Sequence, residues 1–242
     1  MITNPLLLEI RQSRFWQVVR TTLWPLFPGW VDEGRRIVQD PHLRSLIKKA
    51  HDSSPPLLRF LNAGAGEGLF SHLLLSVPTA QDVIEIDISY GASARWPSDF
   101  RQTFVGASLT DIPLESESVD FILCSEVLEH IHDDGRALDE LRRVLAPGGW
   151  LLITVPTLPA VFDPAHVREG YTLNQLSNMV SARGLRVVRS EFCMHALFQF
   201  VLRLWRRSEW MPRGLIRLLS LLDRAFPIGA PMDLIILAHR TA

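Results

Sequence analysis

A glycine-rich turn, Asn62-Ala63-Gly64-Ala65-Gly66-Glu67-Gly68, constrains this chain more than any other feature. An apolar run, Leu57 to Leu61, reads as a strand leading into it, and Phe70 to Leu75 reads as the helix that directly follows. Glycines between a strand and a helix let the backbone approach a ligand closely and leave N–H groups at the helix start free for its polar part. Tight turns are also glycine-rich for steric reasons alone, so the turn gains its meaning from what comes after it.

What comes after is an alternation. Strand patterns recur at Val83 to Ile88, Phe104-Val105, Val119 to Cys124 and Trp150 to Val155, with helical patterns at Val127 to His130 and Gly135 to Leu145. Thr172 to Arg183 reads as a helix closed by Gly184, Leu185 to Arg189 as a sixth strand and Leu234 to Ala238 as a seventh. Such alternation implies an α/β fold with a seven-stranded, mostly parallel sheet and helices on both faces. Ligands of these sheets bind beyond the carboxyl ends of the strands, where the strand order switches. Residues 1–56 read as an N-terminal helical extension, broken at Pro25, Pro28-Gly29 and Asp40-Pro41, with Asp40 capping a helix from Pro41 to His51. Residues 57–242 form the main domain, with a helical insertion at about 194–230 that holds two apolar stretches, Ala196 to Arg207 and Leu215 to Phe226.

Composition removes several classes of function. Cys124 and Cys193 are the two cysteines, far apart, which argues against a disulfide framework or a zinc site, and no metal is expected. No apolar run is long enough for a membrane span, and no basic-then-apolar leader opens the chain, so a cytoplasmic location is expected. The net charge of −1 divides into basic flanks around an acidic centre. Trp16, Trp24, Trp30, Trp205 and Trp210 lie in those flanks, and of 25 basic residues only Lys48 and Lys49 are lysine. Arg213, Arg217 and Arg224 recur opposite a leucine face. That pattern suits ordinary packing, or peripheral membrane contact through the Arg/Leu/Trp-rich flanks. Arginines interleaved with leucine, without a lysine-rich patch, do not suit nucleic acid.

Asp87 closes the second strand, 23 positions after Gly64, where a carboxylate can accept both hydroxyls of a ribose. Glu85 is expected on the opposite face of that strand and so away from the ribose. The glycines fall as Gly-x-Gly-x-Gly, without the wider last gap that seats a dinucleotide pyrophosphate. Five motifs in order, Leu61 to Gly68, Ile84 to Ser89, Ile112 to Leu123, Ser125 to His130 and Leu141 to Gly149, resemble the class I S-adenosylmethionine-dependent methyltransferases of the small-molecule type. The resemblance implies a Rossmann-like sheet, S-adenosylmethionine as cofactor, and a small or lipid-like methyl acceptor. It carries cofactor contacts to Asn62, Gly64, Ala65, Gly66, Gly68, Asp87, Ile88, Ser108, Leu109, Ser125 and Glu126. Two positions depart from the family, which usually has aspartate where Asn62 stands and often where Ser108 stands. Asn62 is expected to hydrogen-bond the loop backbone without supplying charge. His130, His166 and Tyr171 are the candidates for acceptor-side catalysis, with His130 alternatively fixing a loop and His132 facing elsewhere. The departures leave two other readings, a non-catalytic cofactor-binding module and a membrane-peripheral interaction protein of the same fold.

Overall fold

A computed structural model describes residues 31–53, 56–89, 99–158, 165–205 and 211–241. The breaks read at Pro25 and Pro28-Gly29, and Trp16, Trp24, Trp30 and Trp210, lie outside the described residues.

The elements run α1 (Val31–Asp52), β1 (Arg59–Ala63), α2 (Ser71–Leu75), β2 (Asp82–Asp87), β3 (Gln102–Gly106), β4 (Val119–Ser125), a 3-10 turn (Leu128–His130), α3 (Asp134–Val144), β5 (Leu145–Pro156), α4 (Leu173–Ser181), β6 (Leu185–Cys193), α5 (Ala196–Trp205), α6 (Arg213–Ala225) and β7 (Asp233–Arg240). One sheet of order β3-β2-β1-β4-β5-β7-β6 joins all seven strands. β1 to β5 pair in parallel, and β7 runs antiparallel between β5 and β6. The order reverses between β1 and β4, which places the expected crevice above their carboxyl ends.

Alternation along the central strands divides the core in two. Phe60, Phe121, Leu123, Leu152 and Ile235 pack on one face with α1, α2, α5 and α6. Leu61, Ile122, Cys124, Ile153 and Ile236 pack on the other with α3 and α4. Both faces are covered, so these strands read as continuous apolar runs rather than half-polar ones.

The helix expected from Pro41 instead begins at Val31 and passes through the proline. An interior proline removes a backbone donor and costs roughly 3 kcal/mol. Val38, Leu43, Leu46, Ile47 and Ala50 are buried on both sides of it, and that burial outweighs the loss. Asp40 accordingly does not cap; its carboxylate meets His72 Nε2 at 2.8 Å and Arg44 at 3.6 Å. The described part of the N-terminal segment is therefore built into the core. β5 likewise begins at Leu145, five residues before the expected start, and the register shift between Val119 and Phe121 absorbs the Pro147-Gly148-Gly149 turn as an irregularity.

Candidate active site

The glycine turn is held from below by β2. Gly64 and Ala65 both donate their N–H to the Ile86 carbonyl, each at 2.8 Å. Gly64 sits at φ +74°, and a Cβ there would lie 2.3 Å from Val127 Cγ2, so its glycine serves close packing. Gly66, at φ +52°, has no atom within 4 Å of where its Cβ would be, and this is where the loop opens outward. The expected helix does not follow at once. Turns continue through Phe70, and α2 holds only five residues, so the loop's own N–H groups replace a long helix start.

Asp87 lies beneath the loop. Its Oδ2 accepts the Gly66 N–H at 2.8 Å, and its Oδ1 accepts the Ser89 N–H and hydroxyl at 2.8 and 2.6 Å. A carboxylate has about four acceptor positions, so one stays open on Oδ2 and the Ser89 hydroxyl is a bond that a ribose hydroxyl can replace. Ala65, Gly66, Asp87, Ser89 and Phe104 line a pocket together with Glu85. Gly66 open to the pocket above an acidic acceptor fits an adenosine-bearing cofactor. Ile88 is exposed beside it; Ser108 is exposed and hydrogen-bonds Thr110, while Leu109 is buried.

Glu85 is corrected. Residues two apart in a strand share a face, so Glu85 points to the same side as Asp87. It is 1% exposed and is the parallel-register partner of Asn62, whose amide donates to it at 2.7 Å. Gln102 donates to its other oxygen at 3.2 Å. Burial holds this carboxyl above its ordinary pKa despite those bonds. Asn62 thus binds Glu85, and Ser71 at 3.4 Å, in place of the expected loop backbone.

At the end of β4, Glu126 adopts φ +55°, uncommon for a side-chain-bearing residue. Its N–H donates to the Thr154 carbonyl at 2.9 Å. Its carboxylate accepts from Arg35 Nη1 at 2.6 Å, Thr154 Oγ1 at 2.8 Å and Gln39 Nε2 at 3.1 Å. Gln39 also donates to Asp233 at 2.9 Å. Burial, then the nearby Glu126 charge, pushes the Asp233 carboxyl up, against the pull of Arg35. Ser125 shares a 2.8 Å hydrogen bond with Thr154. Arg35, Gln39 and Asp233 were absent from the sequence reading; no local motif marks them, since they meet only through α1 and β7.

The structure brings His130 and His166 together, with ring centroids 4.8 Å apart and an interplanar angle of 71°. Tyr171 is corrected as a catalytic candidate. It is fully buried, donates its hydroxyl to Asp134 at 2.8 Å and carries Arg168 over its ring. Burial and the Asp134 carboxylate drive its pKa far up, which suits a packing residue and not a base. His132 is exposed, as is His130.

The seven-stranded mixed sheet, with its glycine cradle and acidic second-strand end, has the Rossmann-like fold found in methyltransferases. Residues 61–153 match the family described as a methyltransferase domain. The chain is 35% identical over 119 residues to a demethylmenaquinone methyltransferase of Clavibacter sepedonicus, covering 48% of this chain and 46% of that one. It is 35% identical over 136 residues to a malonyl-[acyl-carrier protein] O-methyltransferase of Methylococcus capsulatus, covering 53% and 49%. The chain spans about half the length of these curated relatives. In fold it is similar to an S-adenosylmethionine-dependent methyltransferase from Mesorhizobium loti, with a TM-score of 0.58 at 21% identity over 84% of this chain and 98% of that one. Residues 61–153, which carry the glycine turn and β2 to β4, are thus similar to S-adenosylmethionine-dependent methyltransferases, and S-adenosylmethionine is the cofactor that this similarity implies.

Proposed function

We propose that this protein transfers the methyl group of S-adenosylmethionine to a small or lipid-like acceptor held above the carboxyl ends of β4 and β5. The observation that carries the reading is the Gly66–Asp87 pair, an outward-opening backbone above a carboxylate with acceptor capacity to spare. When bound, the cofactor supplies a methyl group already activated by a sulfonium. The residues of this chain then have positional work, with Asp87 orienting the ribose and the Glu126 network shaping the acceptor side. Calorimetric titration with S-adenosylhomocysteine tests the reading. Saturable binding that Asp87→Ala weakens is expected, and no heat at millimolar ligand overturns it.

The lipid-like acceptor draws support from one surface. Leu218, Leu221, Phe226 and Ile228 are exposed, next in sequence to exposed Arg217 and Arg224, so part of the α6 leucine face turns outward. No helix among the described residues is long and apolar enough to cross a membrane, which leaves in-plane contact as the mode. On this proposal the protein works in the cytoplasm and at its membrane surface. Co-sedimentation with anionic vesicles, lost in an Arg217→Ala/Arg224→Ala variant, is the expected result, and negligible binding by the unaltered protein sinks it.

A further inference from the structure

Glu129 is fully buried, and neither carboxylate oxygen has a hydrogen-bond partner among the described residues. Buried carboxylates are normally paired, hydrogen-bonded or bound to a metal. Arg35, whose charge reaches Glu129, pairs with Glu126 at 2.6 Å and lies 3.8 Å from Asp233. Two imidazoles stand where a partner for Glu129 is needed. His130 Nε2 lies 3.9 Å from Glu129 Oε1, and one ligand atom from each of Glu129, His130 and His166 lies within 4.8 Å of the others. His130 Nδ1 faces the Ala165 carbonyl at 3.0 Å, and a carbonyl only accepts. Nδ1 therefore carries a proton, and in the neutral ring the lone pair lies on Nε2, the arrangement of metal-ligating histidines.

The backbone holds these groups in place. The Val167 N–H donates to the Glu129 carbonyl at 2.9 Å, and Arg168 Nη2 donates to the Ile131 carbonyl at 2.7 Å. Arg168 also pairs with Asp134 at 2.6 Å. The segment that carries His166 is thereby pinned to the turn that carries Glu129 and His130.

We propose that Glu129, His130 and His166 hold a divalent transition-metal ion with an open position for an oxygen of the acceptor. Two imidazoles and one carboxylate suit ions such as zinc or manganese and not the all-oxygen sites of calcium or magnesium. The ion's place at the end of β4 makes the acceptor a hydroxyl-bearing molecule, whose proton passes to water as its oxygen binds. The acceptor part rests on the methyltransferase reading; the ion does not. The absence of a metal was expected from the cysteines alone, and the ligands here are none of them cysteine.

The full-length protein, stripped with chelator, is titrated separately with zinc, manganese and magnesium chlorides. One zinc or manganese ion per chain is expected, with affinity falling at least tenfold in Glu129→Gln and in His166→Ala. The ion should raise the melting temperature of the unaltered protein and not that of either variant, which also shows that the variants fold. No saturable binding, unchanged affinity in both variants, or tighter magnesium than zinc binding overturns the proposal. Parallel titration of the unaltered protein with S-adenosylhomocysteine keeps the two readings apart. Metal binding without cofactor binding removes only the methyltransferase reading, and the converse removes only the ion.

Discussion

Asn62→Asp restores the residue the family usually has and should nevertheless destabilise this protein. Asn62 and Glu85 are 3% and 1% exposed, and the amide donates to the carboxylate at 2.7 Å. Aspartate in that place sets two carboxyls at hydrogen-bond distance, and they cannot both ionise there. One must keep its proton, so the pair titrates above the value of an unfolded carboxyl. A raised folded pKa gives stability that is present at low pH and lost as pH rises. Near pH 5 the introduced carboxyl, protonated, donates as the amide did, and the variant should lie within about 1 kcal/mol of the parent. Each further pH unit costs about 1.4 kcal/mol for the retained proton, so the deficit should reach about 4–5 kcal/mol by pH 8. Denaturant unfolding at pH 5, 6, 7 and 8 measures this. Adding Glu85→Gln restores a carboxylate–amide pair with the roles exchanged and should recover most of the loss. Equal stability at pH 8, or a loss independent of pH, would refute the reasoning.

Asp87→Ala removes the acceptor of the ribose hydroxyls and of the Gly66 N–H; at roughly 1.5–3 kcal/mol per charge-assisted bond, S-adenosylhomocysteine affinity should fall by tenfold or more in calorimetry. Tyr171→Phe should cost about 1–2 kcal/mol of stability through the lost bond to Asp134 and leave the pH profile of turnover unmoved. A changed basic limb in that profile would return Tyr171 to the acceptor site. Burial raises the Asp233 carboxyl to about 7, so its contribution is full below an ordinary carboxyl pKa and disappears as pH rises through about 7. Asp233→Asn should flatten the fall in unfolding free energy between pH 5 and 8, and an unchanged slope counts against the assignment.

The sheet was legible because both of its faces are covered. Strands such as Val119–Ser125 then read as apolar blocks between helices, and their order of appearance predicts a parallel sheet. Boundaries failed where tertiary burial overrode local rules, as at Pro41, which is a helix start by propensity and a helix interior by packing. The meeting of the glycine turn with Asp87 was legible because the two follow each other in sequence, so that motif spacing stands in for geometry. Glu85 failed through the period of the strand itself, which places residues 85 and 87 on one face.

The cluster around Glu126, Glu129 and Asp233 was not legible for a different reason. Its groups come from α1, the end of β4, the segment after β5 and the start of β7, and only the three-dimensional crossing joins them. Arg35 and Gln39 reach Glu126 across 91 and 87 residues, and Gln39 reaches Asp233 across 194. Within that assembly the carboxylates differ in how their charge is met. Glu126 and Asp233 are met by Arg35 and Gln39, which the N-terminal helix carries, whereas the ligand atoms grouped with Glu129 among the described residues are those of the two histidines. The network gives Glu126 and one oxygen of Asp233 hydrogen-bond partners and leaves Glu129 facing imidazoles, of which His130 is oriented by the Ala165 carbonyl. On the proposed ion site, the N-terminal helix acts indirectly, because Arg35 and Gln39 offset the Glu126 and Asp233 carboxylates that would otherwise compete for a cation on Glu129.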